Sequence, residues 1–259
     1  MSGLILAGLC KRFHAGGVDE VLALDGVDLR IARGECVTII GTNGSGKSTL
    51  LSAIAGSVRC EAGQIHLEGR DLTSLAEHER ASWIGRVFQN PFQGTAGSMS
   101  IAENLALAAR RGQSRGLVSA LDRELRAEIR QRVARLGMRL EDRLEAPMGT
   151  LSGGQRQALT LMMATWTRPD LLLLDEHTAA LDPRSAAQMM EWTRQAVTEG
   201  AITTLMVTHS MQQASQTRGR IVLMHRGRIR REWTSGAASD ELLAAFDELR
   251  RAEEALPAV

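Results

Sequence analysis

An excess of charge of either sign is missing from this sequence: 31 Lys and Arg stand against 30 Asp and Glu over 259 residues, a net charge of +1. That removes the electrostatic case for nucleic-acid binding and for a polybasic membrane anchor. Apolar runs long enough to span a bilayer are missing too. The opening MSGLILAGLCKRF lacks the basic segment that precedes the apolar stretch of a secretory signal. The expectation is a soluble cytoplasmic polypeptide whose membrane business, if any, goes through a partner. Cysteine is scarce and odd in number: Cys10, Cys36 and Cys60 show neither CxxC nor metal-ligand spacing. They read as small buried hydrophobes in a reducing compartment. Tyrosine is absent and aromatics make up 3%, yet apolar residues at 44% are ample for a core. The length fits one large domain, or a domain with a substantial insertion.

What is present alternates in texture along the chain. LILAGLCKRF and LALDGVDLRIARGE alternate apolar and polar positions between glycines, as antiparallel strands do. CVTII (36–40) is a continuous apolar run suited to a strand buried on both faces. KSTLLSAIAG then reads as a helix closed by Gly56. From about Ile101 to Leu136 the pattern is helical, with a stripe at Val118, Leu121, Leu125, Ile129, Val133 and Leu136. Arginines crowd this stretch, but acidic residues interleave, and a solvated helix face accounts for them better than a nucleic-acid surface. It reads as an all-helical insertion in an α/β core. Beyond it come a buried strand, LLLLDE, a helix ending at Gly200, and a second buried strand, AITTLMVTH. IVLMHRGRIRREW reads as a terminal hairpin, and Leu242, Leu243, Phe246 and Leu249 give the last segment a helical stripe.

Two places carry phosphate chemistry. GTNGSGKST fits G-x-x-x-x-G-K-[ST] from Gly41 to Ser48, with a buried strand before it and a helix after it. Gly41, Gly44 and Gly46 let backbone N–H groups converge on phosphate oxygens without a Cβ in the way. Lys47 reaches the β- and γ-phosphates, the Ser48 hydroxyl ligates Mg²⁺, and Thr49 is in reach of the α-phosphate. LSGGQRQALT (151–160) sets a glycine pair, Gly153 and Gly154, at the start of a helical stretch. Such a pair costs stability in a regular element, and close backbone approach to an anion at a helix start is a reason for it. LLLLDEHTAALDP adds Asp175 and Glu176 at the carboxyl end of a buried strand, the edge where open α/β sheets bind ligands. Asp175 suits Mg²⁺, and Glu176 is placed to polarise an attacking water.

These residues together resemble the nucleotide-binding subunit of an ABC (ATP-binding cassette) protein over nearly the whole chain. Gly41–Thr49 and Asp175–Glu176 resemble the family's Walker A and Walker B motifs, and Gln89 in RVFQNP its Q-loop glutamine. LSGGQ at Leu151–Gln155 resembles the signature, ALDP at Ala180–Pro183 the D-loop, and His209 in MVTHS the switch histidine. The resemblance implies an α/β fold: a P-loop NTPase cassette core with an N-terminal antiparallel β subdomain and an inserted α-helical subdomain. The expected layout is 1–90 for the β subdomain and P-loop core, and 91–160 for the helical insertion with the signature. Residues 161–235 complete the α/β core, and 236–259 form a C-terminal helix.

The resemblance also assigns roles. Glu176, His209, Gln89 and Lys47 are catalytic, and Mg²⁺ is held by Ser48, Gln89 and Asp175. ATP contacts Thr42, Asn43, Ser45 and the remaining loop residues, with Ser152, Gly153, Gly154, Gln155 and Asp182 acting on nucleotide held by a second cassette packed head to tail. The family stacks an aromatic residue, often tyrosine, on adenine, and Phe13 sits at that point of this chain; a core phenylalanine is the alternative. His14, His66 and His78 match nothing in the family and read as surface residues, and His177 has no family role to transfer.

The expected partners are a second cassette, integral membrane permease subunits and a substrate-binding protein, with no nucleic acid. NPFQGTAGSM (90–99) is the expected rim of the grip on the permease. The function implied is an ATP-hydrolysing subunit of an importer of a small solute such as an amino acid, peripheral on the inner face of the cell membrane. The alternative is a single-cassette ATPase of an iron–sulfur cofactor assembly complex. A regulatory binding module would tolerate loss of Glu176 or His209, and both are present.

Overall fold

The computed structural model of the protein describes residues 3–113, 121–217, 219–234 and 237–254. In chain order the first strands are β1 (Leu4–Phe13), β2 (Val21–Ile31) and β3 (Cys36–Gly41), followed by helix α1 (Lys47–Ala55). Then come β4 (Ala62–Leu67), β5 (Arg70–Asp71), α2 (Glu77–Arg80) and β6 (Ile84–Val87). The helices α3 (Ile101–Ala109), α4 (Arg123–Ala134) and α5 (Gly153–Thr165) lead to β7 (Leu171–Asp175) and α6 (Pro183–Gly200). The chain closes with β8 (Thr203–Val207), α7 (Met211–Gln216), β9 (Arg220–His225), β10 (Arg228–Trp233) and α8 (Ser239–Glu254). It divides into two compact units, Met1–Leu75 with Thr203–Val259, and Ala76–Ile202.

The first unit holds an antiparallel sheet in the order β2-β1-β4-β5. The predicted alternation holds for Leu4 and Leu6 of β1, and a register shift at Gly8, φ 60°, resets it so that Leu9 turns inward. In its second sheet β3 runs parallel to both β8 and β9, and β10 folds back antiparallel on β9 as the predicted hairpin. A strand flanked by parallel neighbours is covered on both faces, and from Val37 onward every position of β3 is buried. Below this sheet Ile40, Ala214, Ile221, Leu223, Trp233, Leu242 and Ala245 form a core that seats α8 against α7 and the end of β3. Of the predicted α8 stripe, Leu242 is buried and Phe246 packs beside it, whereas Leu243 is exposed. The side chain of Leu249 lies outside the described residues. The cysteines are thiols only partly buried, a correction to the expectation of buried hydrophobes. The Cys10 sulfur accepts a hydrogen bond from the Gly26 N–H at 3.2 Å, which holds it near the sheet surface.

The second unit pairs β6 and β7 in parallel and packs α5 against β6. The single stripe expected between 118 and 136 is shorter than the pattern suggested. The Asp122 carboxylate caps the N-terminus of α4 by accepting from the Leu125 N–H at 2.8 Å, so the helix starts at Arg123. Ile129 and Val133 are the buried face, while Leu121 and Leu136 pack on the same core from the flanking turns. Val118 lies outside the described residues. Ile101, Leu105, Leu140, Met148 and Leu159 complete this core, which binds α3, α4 and α5 into the all-helical part of the unit.

Candidate active site

The phosphate loop lies in the first unit. Gly46 stands at the N-cap of α1 with φ of 99°, a left-handed conformation that strains any residue with a Cβ. A Cβ there would also run into the Ala23 carbonyl oxygen. The N-cap is a glycine with no side chain of its own, and the dipole at the start of α1 is directed at whatever anion the loop takes. Lys47 is only 6% exposed, and its ammonium donates to the carbonyls of Gly41 and Thr42 at 2.9 and 2.8 Å and to the Ser45 hydroxyl at 3.4 Å. The lysine is thus folded back along the inside of its own loop, which fixes a positive charge where phosphate oxygens would sit. Ser45 is buried, Asn43, Gly44 and Ser48 are exposed, and Thr42 and Thr49 are half-buried. The same unit carries His209, exposed just after β8, with Ser210 capping α7 behind it. Phe13 ends β1 half-buried, with the Lys11 ammonium 5.2 Å from its ring centre.

The carboxylates lie in the second unit. Asp175 ends β7 and is buried, in the field of the half-buried Arg86 on β6. Glu176 follows with φ of 42°, a conformation uncommon for any residue but glycine and one that aims its side chain out of the strand's line. The Gln89 amide donates to the Glu176 carboxylate at 3.1 Å, so two predicted catalytic residues meet although 87 positions separate them. His177 differs from its neighbours: it is buried, and its Nε2 lies 3.0 Å from the Thr193 hydroxyl on α6. Thr193 already donates its single hydroxyl proton to the Met189 carbonyl, so the imidazole N–H is the donor. Burial pushes this imidazole down to about 4. Of the other unassigned histidines, His14 and His78 are exposed and His66 is half-buried.

The signature forms the start of α5. Ser152 is its N-cap: the hydroxyl accepts from the Gln155 N–H at 3.3 Å, and the Gln155 side chain accepts from the Ser152 N–H at 3.2 Å. This reciprocal pair holds the helix start with side chains that point along it, leaving the glycines between them bare. A Cβ on Gly153 would meet no atom within 4 Å, and one on Gly154 would make only an ordinary contact with Ser185. The fold therefore asks for neither glycine. Asp182 caps α6, accepting from the N–H groups of Arg184 and Ser185 at 3.1 Å. The Ser185 hydroxyl and these backbone groups hold its carboxyl below the usual range.

A family model described as ABC transporter matches residues 24–179. The chain is 42% identical over 226 residues to a tyrosine transport ATP-binding protein of Clostridioides difficile, a match covering 87% of this chain and 90% of that one. The chain belongs to the ABC transporter family. As a cassette of that family it is an ATP-hydrolysing enzyme. It is 36% identical over 227 residues to a lipoprotein-releasing system ATP-binding protein of Caulobacter vibrioides, covering 86% of this chain and 92% of the relative. A solved ATP-binding cassette, dimeric and bound to ADP and Pi in a post-hydrolysis state, superposes with a TM-score of 0.77. That pair is 27% identical, with 89% of this chain and 98% of the other covered. The ABC fold, an α/β cassette with an antiparallel β sheet and a helical insertion, is therefore the one the resemblance implied.

Two functional candidates escaped the sequence. Arg156 and Gln157, directly after the signature, are both buried, the first donating to the Thr95 hydroxyl at 2.8 Å and the second to the Phe88 carbonyl at 3.0 Å. Polar residues in the first turns of a helix read as solvated, and their partners lie 61 and 69 positions away. No local signal could have found them.

Proposed function

We propose that the protein is the ATP-hydrolysing subunit of a membrane transport complex, working as a head-to-tail pair of cassettes on the inner face of the membrane. The phosphate loop carries this reading: Lys47 is fixed on its loop carbonyls and α1 starts on a glycine in the left-handed conformation. Such a loop fits the triphosphate of ATP. Ser48 and Asp175 are hard oxygen donors of the kind Mg²⁺ takes, with Gln89 as a further oxygen ligand. Mg²⁺, when bound, supplies charge neutralisation to the phosphate oxygens. Glu176 accepts a proton from the attacking water and orients it in line with the γ-phosphoryl group, and His209 and Lys47 stabilise the charge that develops there. Phe13 offers its ring to adenine. Ser152, Gly153 and Gly154 present the helix start to the γ-phosphate of the second copy's nucleotide, with Gln155 holding the turn and Asp182 beside it. Loss of the γ-phosphate removes that contact and lets the pair open.

The cargo class proposed is a small solute such as an amino acid, and the direction import. Support comes from the tyrosine transport ATP-binding protein and from a methionine import ATP-binding protein of Rhizobium etli, 35% identical over 210 residues covering 80% of this chain and 55% of that relative. A permease and a substrate-binding protein complete the complex. Among the described residues no helix is long and apolar enough to cross a membrane, so the permease supplies the membrane path. No observation favours the alternative of an iron–sulfur assembly ATPase. Glu176→Gln tests the site: turnover should fall at least about a hundredfold while ATP traps a dimer resolvable by size-exclusion chromatography. Retained turnover would remove Glu176 from the mechanism. Native purification from detergent-solubilised membranes tests the complex; a soluble partner with no polytopic protein would overturn the transport assignment.

A further inference from the structure

The side chains that follow the signature join it to the residues beside Glu176. Gln157 is 1% exposed, and its amide N–H donates to the carbonyl of Phe88, the residue after β6. The next residue, Gln89, donates to the Glu176 carboxylate at 3.1 Å. Arg156 grips the same segment farther on, through the Thr95 hydroxyl and by laying its guanidinium 4.5 Å from the ring centre of Phe92. Two successive side chains of α5 thus hold both ends of the stretch 88–95. Packing alone does not explain the choice of Gln157, because its side-chain oxygen is buried with no hydrogen-bond partner. An apolar residue of that size would fill the space without an unsatisfied acceptor. What the amide supplies is a directed link to one backbone carbonyl.

We propose that Gln157 is a positioning residue for hydrolysis, transmitting the state of the signature helix to the Gln89–Glu176 pair of the same chain. The inference rests on Glu176 acting on water as proposed above. An anion seated on the start of α5 orders that helix; Gln157 carries the order to the Phe88 carbonyl, and the adjoining Gln89 holds the carboxylate in register. The device couples the contact made with a second copy to the readiness of this chain's own base. Loss of the link leaves Glu176 present but poorly aimed, a defect of the chemical step and not of ATP binding.

The experiment is a double-mutant cycle on the full-length protein in steady-state ATPase assays, using Gln157→Met, Gln89→Ala and the pair, with Glu176→Gln as reference. Gln157→Met keeps the volume and removes the donor. The expected result is a kcat lowered about tenfold, a KM for ATP within about twofold of the parent, and no further loss when Gln157→Met is added to Gln89→Ala. Independent losses that multiply in the double variant, or an unchanged kcat, would overturn the proposal. Should Gln157→Met fail to fold, hydrogen exchange on the ATP-trapped Glu176→Gln dimer gives the second reading. Protection must then appear at 86–95 as well as at 151–157, and protection confined to 151–157 refutes the link. If Glu176→Gln hydrolyses ATP normally, the proposed role of Glu176 has failed and this inference falls with it. If Glu176→Gln is inactive and the cycle is additive, only the inference falls.

Discussion

Replacing Gly153 by alanine separates what the fold needs from what the chemistry needs. The new methyl group would meet nothing within 4 Å, and the residue opens α5 with Ser152 capping it. Glycine is about 1 kcal/mol worse than alanine in a helix interior, and less at a first helical position, so stability should rise by up to about 1 kcal/mol. For a chain of this size that is a Tm higher by about 0–3 °C. The same methyl group stands where a phosphate oxygen would approach the backbone. Losing a hydrogen bond to a charged group is worth roughly 1.5–3 kcal/mol, so turnover should fall about ten- to a hundredfold. Differential scanning fluorimetry and phosphate-release kinetics on one preparation read both quantities. Full turnover in the alanine variant would show that the bare backbone serves no approaching anion. A Tm lowered by several degrees would show instead that the fold does need the glycine.

Gly46→Ala should behave oppositely, losing about 2 kcal/mol or more in urea unfolding, because its φ of 99° and the Ala23 carbonyl both resist a Cβ. A stability loss below about 0.5 kcal/mol would contradict that geometry. His177 makes stability depend on acid: its folded value near 4 lies below the ordinary 6.5, so the unfolded chain takes up the proton first. The stabilisation is complete above about pH 6.5 and disappears as the pH falls towards 4, on the order of 3 kcal/mol in all. Urea titrations across that range should show a flatter dependence in His177→Gln, and equal slopes would rule the residue out. Phe92, 61% exposed beside Arg156, should matter little to ATPase activity of the isolated subunit. Phe92→Ala should uncouple transport in reconstituted vesicles, and unchanged uptake would exclude it from the permease contact.

Much of this was legible because the chemistry-bearing residues sit in short local patterns. The phosphate loop, the strand ending in Asp175 and the glycine pair at the start of α5 are each written within ten residues of sequence. The helical insertion was only half legible: the apolar positions drew one continuous stripe, and the Asp122 cap that divides it lies within the pattern without interrupting its period. The cysteines were misjudged because an apolar preference says nothing of a sulfur bonded to a neighbouring strand's N–H. Leu243 was misplaced because a stripe a few residues long fixes a helix face only loosely. The least legible features were pairings across the chain. Nothing near Gln157 announces Phe88, and His177 gives no sign in its neighbours of the hydroxyl that Thr193 brings to it.

The phosphate loop at the start of α1 has a consequence for the life of the protein in the cell. A loop built round a buried lysine and a helix dipole is completed by an anionic metabolite, so nucleotide would act on it as a folding ligand as well as a fuel. At a concentration a hundredfold above its dissociation constant, a ligand that binds only the folded chain adds about 2.7 kcal/mol to stability. A shift of that size changes the unfolded population open to proteases by about a hundredfold. Starvation for ATP would then thin out the subunit itself, and the abundance of the transporter would follow the energy supply that drives it.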